Sequence, residues 1–333
     1  MRKSVYVSIP CLCFDDELIT TINTCLLNSS KDNDIRIHVA CTGDKNFYNM
    51  TRVQTANLKN VEVTFFELEG NYGIGKGRKH AAENYNNEDY FLEIDAHTYF
   101  QKDWDKVLIQ TLEDAIIFSK NSKTIITSYL PSYIKNNNEY IIQDIKMPFM
   151  QWAKNETISS VNIDTNTRYD TKIPKWSTID SVNDKTGKWL LVEEITKDKK
   201  FVPSIKVCGQ FIFGNRNFGE GTRLDEKTLF WEEEILQSIE LLNDGFSILY
   251  PNIDSVLNHY SQEQSSTTSR ITFYQLCSYI GTTPGEYLNK MRIVYENYIF
   301  DPENKDKIEK FKNYAGIDLK LGTVISTTIN KDI

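Results

Sequence analysis

The sequence has few cysteines for its length and no long apolar run. Six cysteines are scattered through 333 residues without a Cys-x-x-Cys pair, which argues against a disulfide framework and a thiolate zinc site. No apolar stretch approaches the roughly 20 residues that span a bilayer. The first residues resemble a short signal peptide but lack a small-residue cleavage site, so we interpret them as a β-strand. We therefore expect a cytoplasmic, reducing location and no membrane association.

An excess of basic residues is missing as well. The chain carries 38 Lys and Arg against 46 Asp and Glu, so its net charge of -8 disfavours general binding to a nucleic-acid backbone. Hydrophobic residues make up 40% and charged residues 25%, which is the composition of a folded globular protein. The length exceeds that of a single hydrophobic core, and this indicates one large domain with an insertion or a tail.

Strands and helices alternate through the first 130 residues. β-Branched and aromatic runs predict five strands, at 5–9, 35–40, 61–68, 90–94 and 124–129. We expect Pro10 to end the first of them. Apolar residues at helical spacing predict a helix that Asp15 or Asp16 can cap and that runs to about Asn28, and another at 104–119. A further helix is predicted from about Arg78 to Asn84. The predicted fold is α/β, a mostly parallel sheet flanked by helices, with ligands at the carboxyl ends of its strands.

Two stretches depart from this alternation. Residues 131–203 are rich in Lys, Asn, Asp and Thr, and we interpret them as an insertion that covers one side of the sheet. A regular pattern returns with a strand at 205–213 and a helix at 231–243. Residues 261–333 begin with a polar run and continue with helical patterns. We therefore predict a domain over 1–260 that contains the insertion, followed by a C-terminal helical extension.

Asp95 and His97 follow directly on the predicted buried strand 90–94. Two such side chains just past a strand can point to the same side and bind one divalent cation. A carboxylate oxygen with an imidazole nitrogen suits manganese, zinc or iron better than calcium. The alternative is an aspartate that caps the following turn beside a surface histidine.

A glycine-rich turn at 70–77 precedes a predicted helix. It nearly matches the phosphate-binding GxxxxGK[ST] loop, but Gly77 stands where the metal-binding hydroxyl should be. A P-loop-like nucleotide hydrolase is therefore a rival hypothesis. Free amides at the helix N-terminus, with Lys76, Arg78 and Lys79 nearby, would also suit a diphosphate. A flexible turn without function is the third interpretation.

Acidic residues open the predicted helix at 231–243. Glu233 and Glu234 in a first helical turn are commonly partners of the helix dipole. The preceding Phe230 and Trp231 favour a lined pocket instead. His259, at the end of the last strand-like run, is compatible with a structural or a functional role.

These blocks, in this order, resemble a GT-A glycosyltransferase of the GlcNAc-transferase family, which modifies a hydroxyproline of a Skp1-type ubiquitin-ligase adaptor and is related to the polypeptide GalNAc-transferases. The resemblance covers about residues 4–260 and is carried by the blocks 7–10, 90–97, 209–214, 230–235 and 259–260, with Asp15, Phe100 and Trp104 between them. Residues 98–100 depart from it, since they read Thr-Tyr-Phe where the family tends to have Met-Arg-Phe. In the family these side chains lie near the donor sugar, so the departure leaves the identity of that sugar open.

The resemblance implies metal-dependent transfer of a sugar from a UDP-sugar, with UDP-GlcNAc as the first donor to consider, to a hydroxyl. It assigns a divalent cation, first of all Mn²⁺, to Asp95, His97 and His259. It assigns donor binding to Arg78, Asp95, Gly209 and Arg270, and catalysis to Glu233 and Glu234. Its relatives are retaining enzymes, whereas an inverting enzyme would use one of the two glutamates as general base.

The resemblance leaves the acceptor open. A protein hydroxyl is the acceptor that it implies, contacted by the 131–203 insertion and the segment after residue 260. A hydroxymethylated cytosine in DNA, as modified by bacteriophage sugar transferases, is the alternative, and lysines of the insertion could then contact the DNA. A non-catalytic nucleotide-binding module stays in view beside the P-loop hydrolase, because a fold does not guarantee an activity.

Overall fold

Runs of β-branched and aromatic residues form the strands, because such side chains pack well on a pleated surface. The computed structural model describes residues 2–13, 15–67, 73–136, 139–142, 200–221, 226–230, 232–260, 276–320 and 323–324. In chain order the strands are β1 Ser4–Cys13, β2 Asp34–Gly43, β3 Val61–Phe65, β4 Tyr90–Ile94, β5 Thr98–Phe100, β6 Thr124–Thr127, β7 Ser132–Asn136, β8 Glu139–Ile142, β9 Phe201–Pro203, β10 Phe211–Asn215, β11 Ser247–Pro251, β12 Leu257–Tyr260, β13 Ile317–Asp318 and β14 Thr323–Val324.

The helices lie between these strands and after them. They are α1 Leu18–Leu27, α2 Lys45–Thr55, α3 Ile74–Ala82, α4 Trp104–Ser119, α5 Arg216–Glu220, α6 Glu232–Asn243, α7 Pro284–Phe300 and α8 Lys305–Ala315, with a 3₁₀ turn at Pro302–Asn304. In the described part of the chain, no helix has the length and apolar character needed to cross a membrane.

Eight strands form the central sheet in the order β3-β2-β1-β4-β10-β6-β11-β9. β1, β2, β3 and β4 pair in parallel with one another, and β6 pairs in parallel with β11, whereas β10 and β9 run antiparallel to their neighbours. The predicted mostly parallel sheet is therefore confirmed. A smaller sheet, in the order β5-β12-β7-β8, lies beyond the carboxyl end of β4.

The two faces of the central sheet pack against different helices. Side chains alternate along β1, so Val5, Val7 and Ile9 join one hydrophobic cluster with α1 and α4. Tyr6 lies on the other face, in a cluster that contains apolar side chains of α6 and of the C-terminal helices α7 and α8. The C-terminal helices thus share their hydrophobic cluster with the sheet and do not pack separately from it.

Two sequence predictions differ from the observed strands. Pro10 does not end β1, which continues to Cys13 and stays paired with β2. The proline is tolerated because β4 pairs with β1 only from Val5 to Ser8, so no hydrogen bond to β4 is lost at residue 10. The predicted strand at 205–213 is wrong over most of its length, because β10 begins at Phe211 and irregular backbone precedes it.

Candidate active site

Asp95 and His97 lie next to each other at the carboxyl end of β4. The strand itself is buried throughout, and Asp95 is the first residue after it. Asp95 Oδ2 lies 4.0 Å from His97 Nε2, and the Thr98 hydroxyl donates to the Asp95 carbonyl within the turn that joins them. His97 is only 7% exposed. The alternative of a surface histidine is therefore wrong.

Asp15 fixes the orientation of the His97 ring. Its Oδ2 lies 2.5 Å from His97 Nδ1, and its Oδ1 accepts from the Glu17 amide. Burial lowers the pKa of His97, but the Asp15 carboxylate, together with Asp95, outweighs burial and raises this pKa to about 9. A carboxylate on one ring nitrogen is a common way to present the other nitrogen to a metal ion. Sequence reasoning treated Asp15 only as a helix cap and a family marker, and missed this contact.

The strand pairing brings His259 to the same edge of the molecule. β12 pairs antiparallel with β5, and the register sets His259 opposite Thr98, the residue after His97. The side chain of His259 lies outside the described residues, as does the whole of Arg270. Among the side chains that are described, no three His, Cys, Asp or Glu residues form a metal-binding group.

Arg78 connects three carboxylates, one on β4, one in the turn after β4 and one on α6. Its Nε donates to Glu233 Oε1 at 2.6 Å, its Nη1 to Glu93 Oε1 at 3.1 Å and its Nη2 to Asp95 Oδ1 at 3.4 Å. The arginine is only 3% exposed. Three predicted site residues, Arg78, Asp95 and Glu233, therefore meet at one point, together with a fourth charged residue, Glu93, that was not predicted. A charged residue inside an otherwise apolar strand was the available signal for Glu93.

Gly209 makes room for this cluster. A Cβ atom at position 209 would lie 2.5 Å from Arg78 Nη2 and 3.0 Å from Glu233 Oε1. Any side chain would therefore have to displace the buried ion pair. The prediction placed Gly209 in a strand, but it lies in the irregular segment before β10, where its backbone can approach the guanidinium closely.

Glu233 is buried, and the described residues provide a hydrogen-bond partner for one of its two carboxylate oxygens. Its Oε1 accepts from Arg78, whereas its Oε2 has no hydrogen-bond partner among the described residues. Burial raises the pKa of Glu233 to about 8, and the neighbouring carboxylates of Glu93 and Glu234 add to this against the opposing effect of Arg78. Three carboxylates share one guanidinium, so a protonated Glu233 relieves part of their repulsion.

Glu234 has a separate cation. Its Oε2 lies 2.5 Å from the ammonium group of Lys206 and 3.4 Å from the hydroxyl of Tyr129, and its Oε1 accepts from the Gly209 amide at 2.8 Å. Lys206 is itself only 7% exposed. Both oxygens of Glu234 are therefore engaged, in contrast to those of Glu233. Lys206 was missed because nothing in the local sequence pattern sets it apart from other lysines.

The sequence of this site matches a known family. The family model described as Glycosyltransferase (GlcNAc) matches residues 10–275, which contain every site residue described above. The chain belongs to this family. The predicted resemblance is confirmed, and the protein is a glycosyltransferase. No curated protein sequence matches the chain.

The fold of the glycosyltransferase matches that of a solved structure, described as GalNAc-T7 with UDP, GalNAc and Mn²⁺. The TM-score is 0.52 at 15% sequence identity, and the match covers 98% of this chain and 52% of that chain. This chain thus spans about half the length of its structural neighbour. At this identity the likeness shows the fold, which is the predicted GT-A fold.

The second half of the glycine-rich turn is hydrogen-bonded to the backbone of the segment that precedes α6. The amide of Ile74, the first residue of α3, donates to the Leu229 carbonyl at 2.9 Å, and the amide of Gly75 donates to the Thr228 carbonyl. The expectation of free amides for a diphosphate is wrong for these two, because they are already satisfied. Residues 70–72 of the turn lie outside the described residues. The family match and these contacts together argue against the P-loop hydrolase.

Proposed function

We propose that this glycosyltransferase moves a sugar from a UDP-sugar to a hydroxyl of a macromolecular acceptor with the help of a divalent cation. The cluster around Arg78 carries the proposal, because Glu93, Asp95 and Glu233 share a single guanidinium beside His97. A divalent cation would offset their excess negative charge. The family description supports UDP-GlcNAc as the first donor to test, and the UDP that accompanies GalNAc-T7 in its crystal structure supports a uridine nucleotide.

The donor atoms of Asp95 and His97 fit a divalent cation. Ligands that each bind at about 2.0–2.2 Å can be up to about 4.2 Å apart, and the two atoms are 4.0 Å apart. One carboxylate and one imidazole suit manganese, which is also present in the GalNAc-T7 structure. We assign the cation to Asp95, His97 and His259. When bound, it would act as a Lewis acid on the departing diphosphate.

Glu233 and Glu234 have different tasks in this proposal. Glu233 holds a proton near neutral pH, so its Oε2, which has no partner in the described part of the chain, can form a hydrogen bond with the donor sugar or the acceptor hydroxyl. Glu234, paired with Lys206, holds the Gly209 amide and so positions the glycine beside Arg78. Neither glutamate is a free, ionised base, and this supports retention over inversion. Arg270 remains the proposed basic clamp on the diphosphate.

Three tyrosines of the smaller sheet support a large acceptor. The ring of Tyr99 lies 4.7 Å from that of Tyr140 and 5.6 Å from that of Tyr133, measured between centroids. Tyr99 is two residues from His97 in the sequence, and Tyr140 is 36% exposed. Aromatic rings beside a sugar site provide stacking area for a peptide side chain, a sugar or a base. Because β7 and β8 begin the 131–203 insertion, we propose that this insertion contacts the acceptor, first of all a protein hydroxyl.

A donor screen tests the proposal. UDP-GlcNAc, UDP-GalNAc, UDP-glucose and ATP are titrated calorimetrically and assayed for hydrolysis without acceptor, each with Mn²⁺ and with excess chelator. We expect one UDP-sugar to bind and to be hydrolysed slowly, and the chelator to abolish hydrolysis. The control variant Lys76→Ala should behave like wild type, because the lysine ammonium contacts the Glu67 carbonyl, outside the Arg78 cluster.

The other outcomes separate the rival hypotheses. Efficient ATP hydrolysis that Lys76→Ala abolishes, without binding of any nucleotide-sugar, would identify a P-loop-like hydrolase. Binding of a UDP-sugar without hydrolysis or transfer to any protein or DNA acceptor would identify a non-catalytic module. Transfer to hydroxymethylated DNA and not to protein would select the DNA-modifying alternative.

A further inference from the structure

The helix α7 lies beyond the region that matches the family, which ends at residue 275. It begins at Pro284 with a complete capping box, in which Thr283 and Glu286 satisfy each other's amides. Its first turn carries Tyr287, whose side chain is fully buried. A tyrosine hydroxyl in such a position needs a hydrogen-bond partner, so where it donates is informative.

The Tyr287 hydroxyl donates to the backbone carbonyl of Leu229 at 3.0 Å. The same carbonyl accepts from the amide of Ile74, at the start of α3. A Cβ atom on Gly73 would lie 2.1 Å from this oxygen, so the backbones of α3 and of the segment before α6 are in direct contact here. Leu229 O is therefore a point where three parts of the chain meet.

The amide side of the same segment is fixed by a second buried group. The Glu232 carboxylate accepts from the Leu229 amide at 2.5 Å and from the Phe230 amide at 3.1 Å. Both the amide and the carbonyl of Leu229 are thus hydrogen-bonded. The next residue after Glu232 is Glu233, whose carboxylate pairs with Arg78, and Arg78 lies about one turn after Ile74.

This junction joins the start of α3 to the segment that precedes α6. Arg78 and Glu233 are 155 residues apart in sequence, yet their side chains must meet at 2.6 Å in a buried site. The amides of Ile74 and Gly75 join α3 to the 228–230 segment by backbone hydrogen bonds, directly before α6 begins. Burial raises the pKa of Tyr287, so its hydroxyl remains a donor throughout the working pH range.

We propose that Tyr287 is a positioning residue of the transferase site, through which the C-terminal helix α7 holds the Arg78–Glu233 pair in register. The inference rests on the proposed function, since it concerns the binding of the donor at that pair. The residues after 275 would then be needed for donor binding, although the family match does not include them. Tyr287 acts through the Leu229 carbonyl and not by touching the donor.

The test compares two conservative variants of the same helix. Tyr287→Phe removes the hydroxyl that reaches Leu229, whereas Tyr295→Phe removes one that donates to the Leu319 carbonyl at 3.3 Å, away from the site. Both tyrosines are buried. Urea unfolding, the Kd for UDP-GlcNAc with Mn²⁺, and the kcat and KM of donor hydrolysis are measured for each. We expect similar losses of stability, but weaker donor binding only in Tyr287→Phe, by at most about fivefold, which is the factor that one buried hydrogen bond can contribute.

A second variant keeps the test valid if Tyr287→Phe does not fold. Thr283→Ala removes an exposed cap from the same helical turn and should weaken donor binding in the same direction by a smaller factor. If Tyr287→Phe and Thr283→Ala bind the donor as Tyr295→Phe does, the inference is overturned and the proposed function stands. If wild type itself binds no nucleotide-sugar, the proposed function has failed, whatever the variants do.

Discussion

Adding one methyl group at Gly209 should damage the site more than its size suggests. The Cβ of Gly209→Ala would lie 2.5 Å from Arg78 Nη2, whereas ordinary contact begins at 3.4 Å. The guanidinium would therefore have to move by about 0.9 Å, the difference between those two distances. Misplacement by about 1 Å can cost about 100-fold in rate. We expect kcat/KM of Gly209→Ala to fall by about two orders of magnitude, with a stability loss of about 1–3 kcal/mol from overpacking.

Gly77→Ala is the matched control for this substitution. It adds the same methyl group one residue from Arg78, but there the Cβ meets, among the described residues, Pro10 Cβ at 3.3 Å and Phe66 Cζ at 3.5 Å. The helical position favours alanine over glycine by about 1 kcal/mol. We therefore expect nearly unchanged donor hydrolysis and equal or higher stability in urea. Wild-type kcat/KM in Gly209→Ala, or an equal loss in both variants, would refute the argument from the close approach to Arg78.

Three further predictions concern the charges around the cluster. Asp15→Asn should weaken Mn²⁺ binding, measured by calorimetry, by about 10–100-fold, and an unchanged affinity would argue against His97 as a ligand. Lys206→Met should lower the free energy of unfolding in urea by about 3 kcal/mol, because it leaves the Glu234 carboxylate without its cation; the double variant with Glu234→Gln should recover part of this loss. Glu233 has a pKa raised to about 8, so the folded state keeps a proton that the unfolded chain releases, and stability should fall between about pH 5 and pH 8. Glu233→Gln should flatten this fall, and an unchanged pH dependence would contradict the assignment.

The alternation of strands and helices was predictable because it depends on local patterns. α4 and α6 follow apolar residues at helical spacing and lie where the sequence places them. α2 was missed for the opposite reason, since its buried residues are only Thr51 and Thr55 and no apolar stripe marks it. The extension of β1 beyond Pro10 was missed because it depends on which neighbouring strand ends first, and local sequence does not contain that information.

The candidate site divides in the same way. Asp95 and His97 were predictable as a pair because both follow one buried strand within three residues. The contacts around this pair join residues that are far apart in the sequence. Asp15 and His97 are 82 positions apart, and Arg78 and Glu233 are 155 positions apart. Such pairs depend on strand order and register, which no local pattern specifies. For the same reason the different states of Glu233 and Glu234 could not be separated from the sequence.

The antiparallel pairing of β10 with β6 has a consequence for how this enzyme could diversify. The Thr127 hydroxyl at the end of β6 donates to the Phe211 carbonyl at the start of β10, although 84 residues separate them. This intervening chain re-enters the sheet earlier, at β9, which runs antiparallel to β11, so the connection from β6 to β9 begins and ends at the same edge of the sheet. Lengthening such a connection costs little closure entropy. A laboratory graft between β8 and β9 could therefore exchange this part of the chain without removing a described strand, and under the proposed function the acceptor is what it would change.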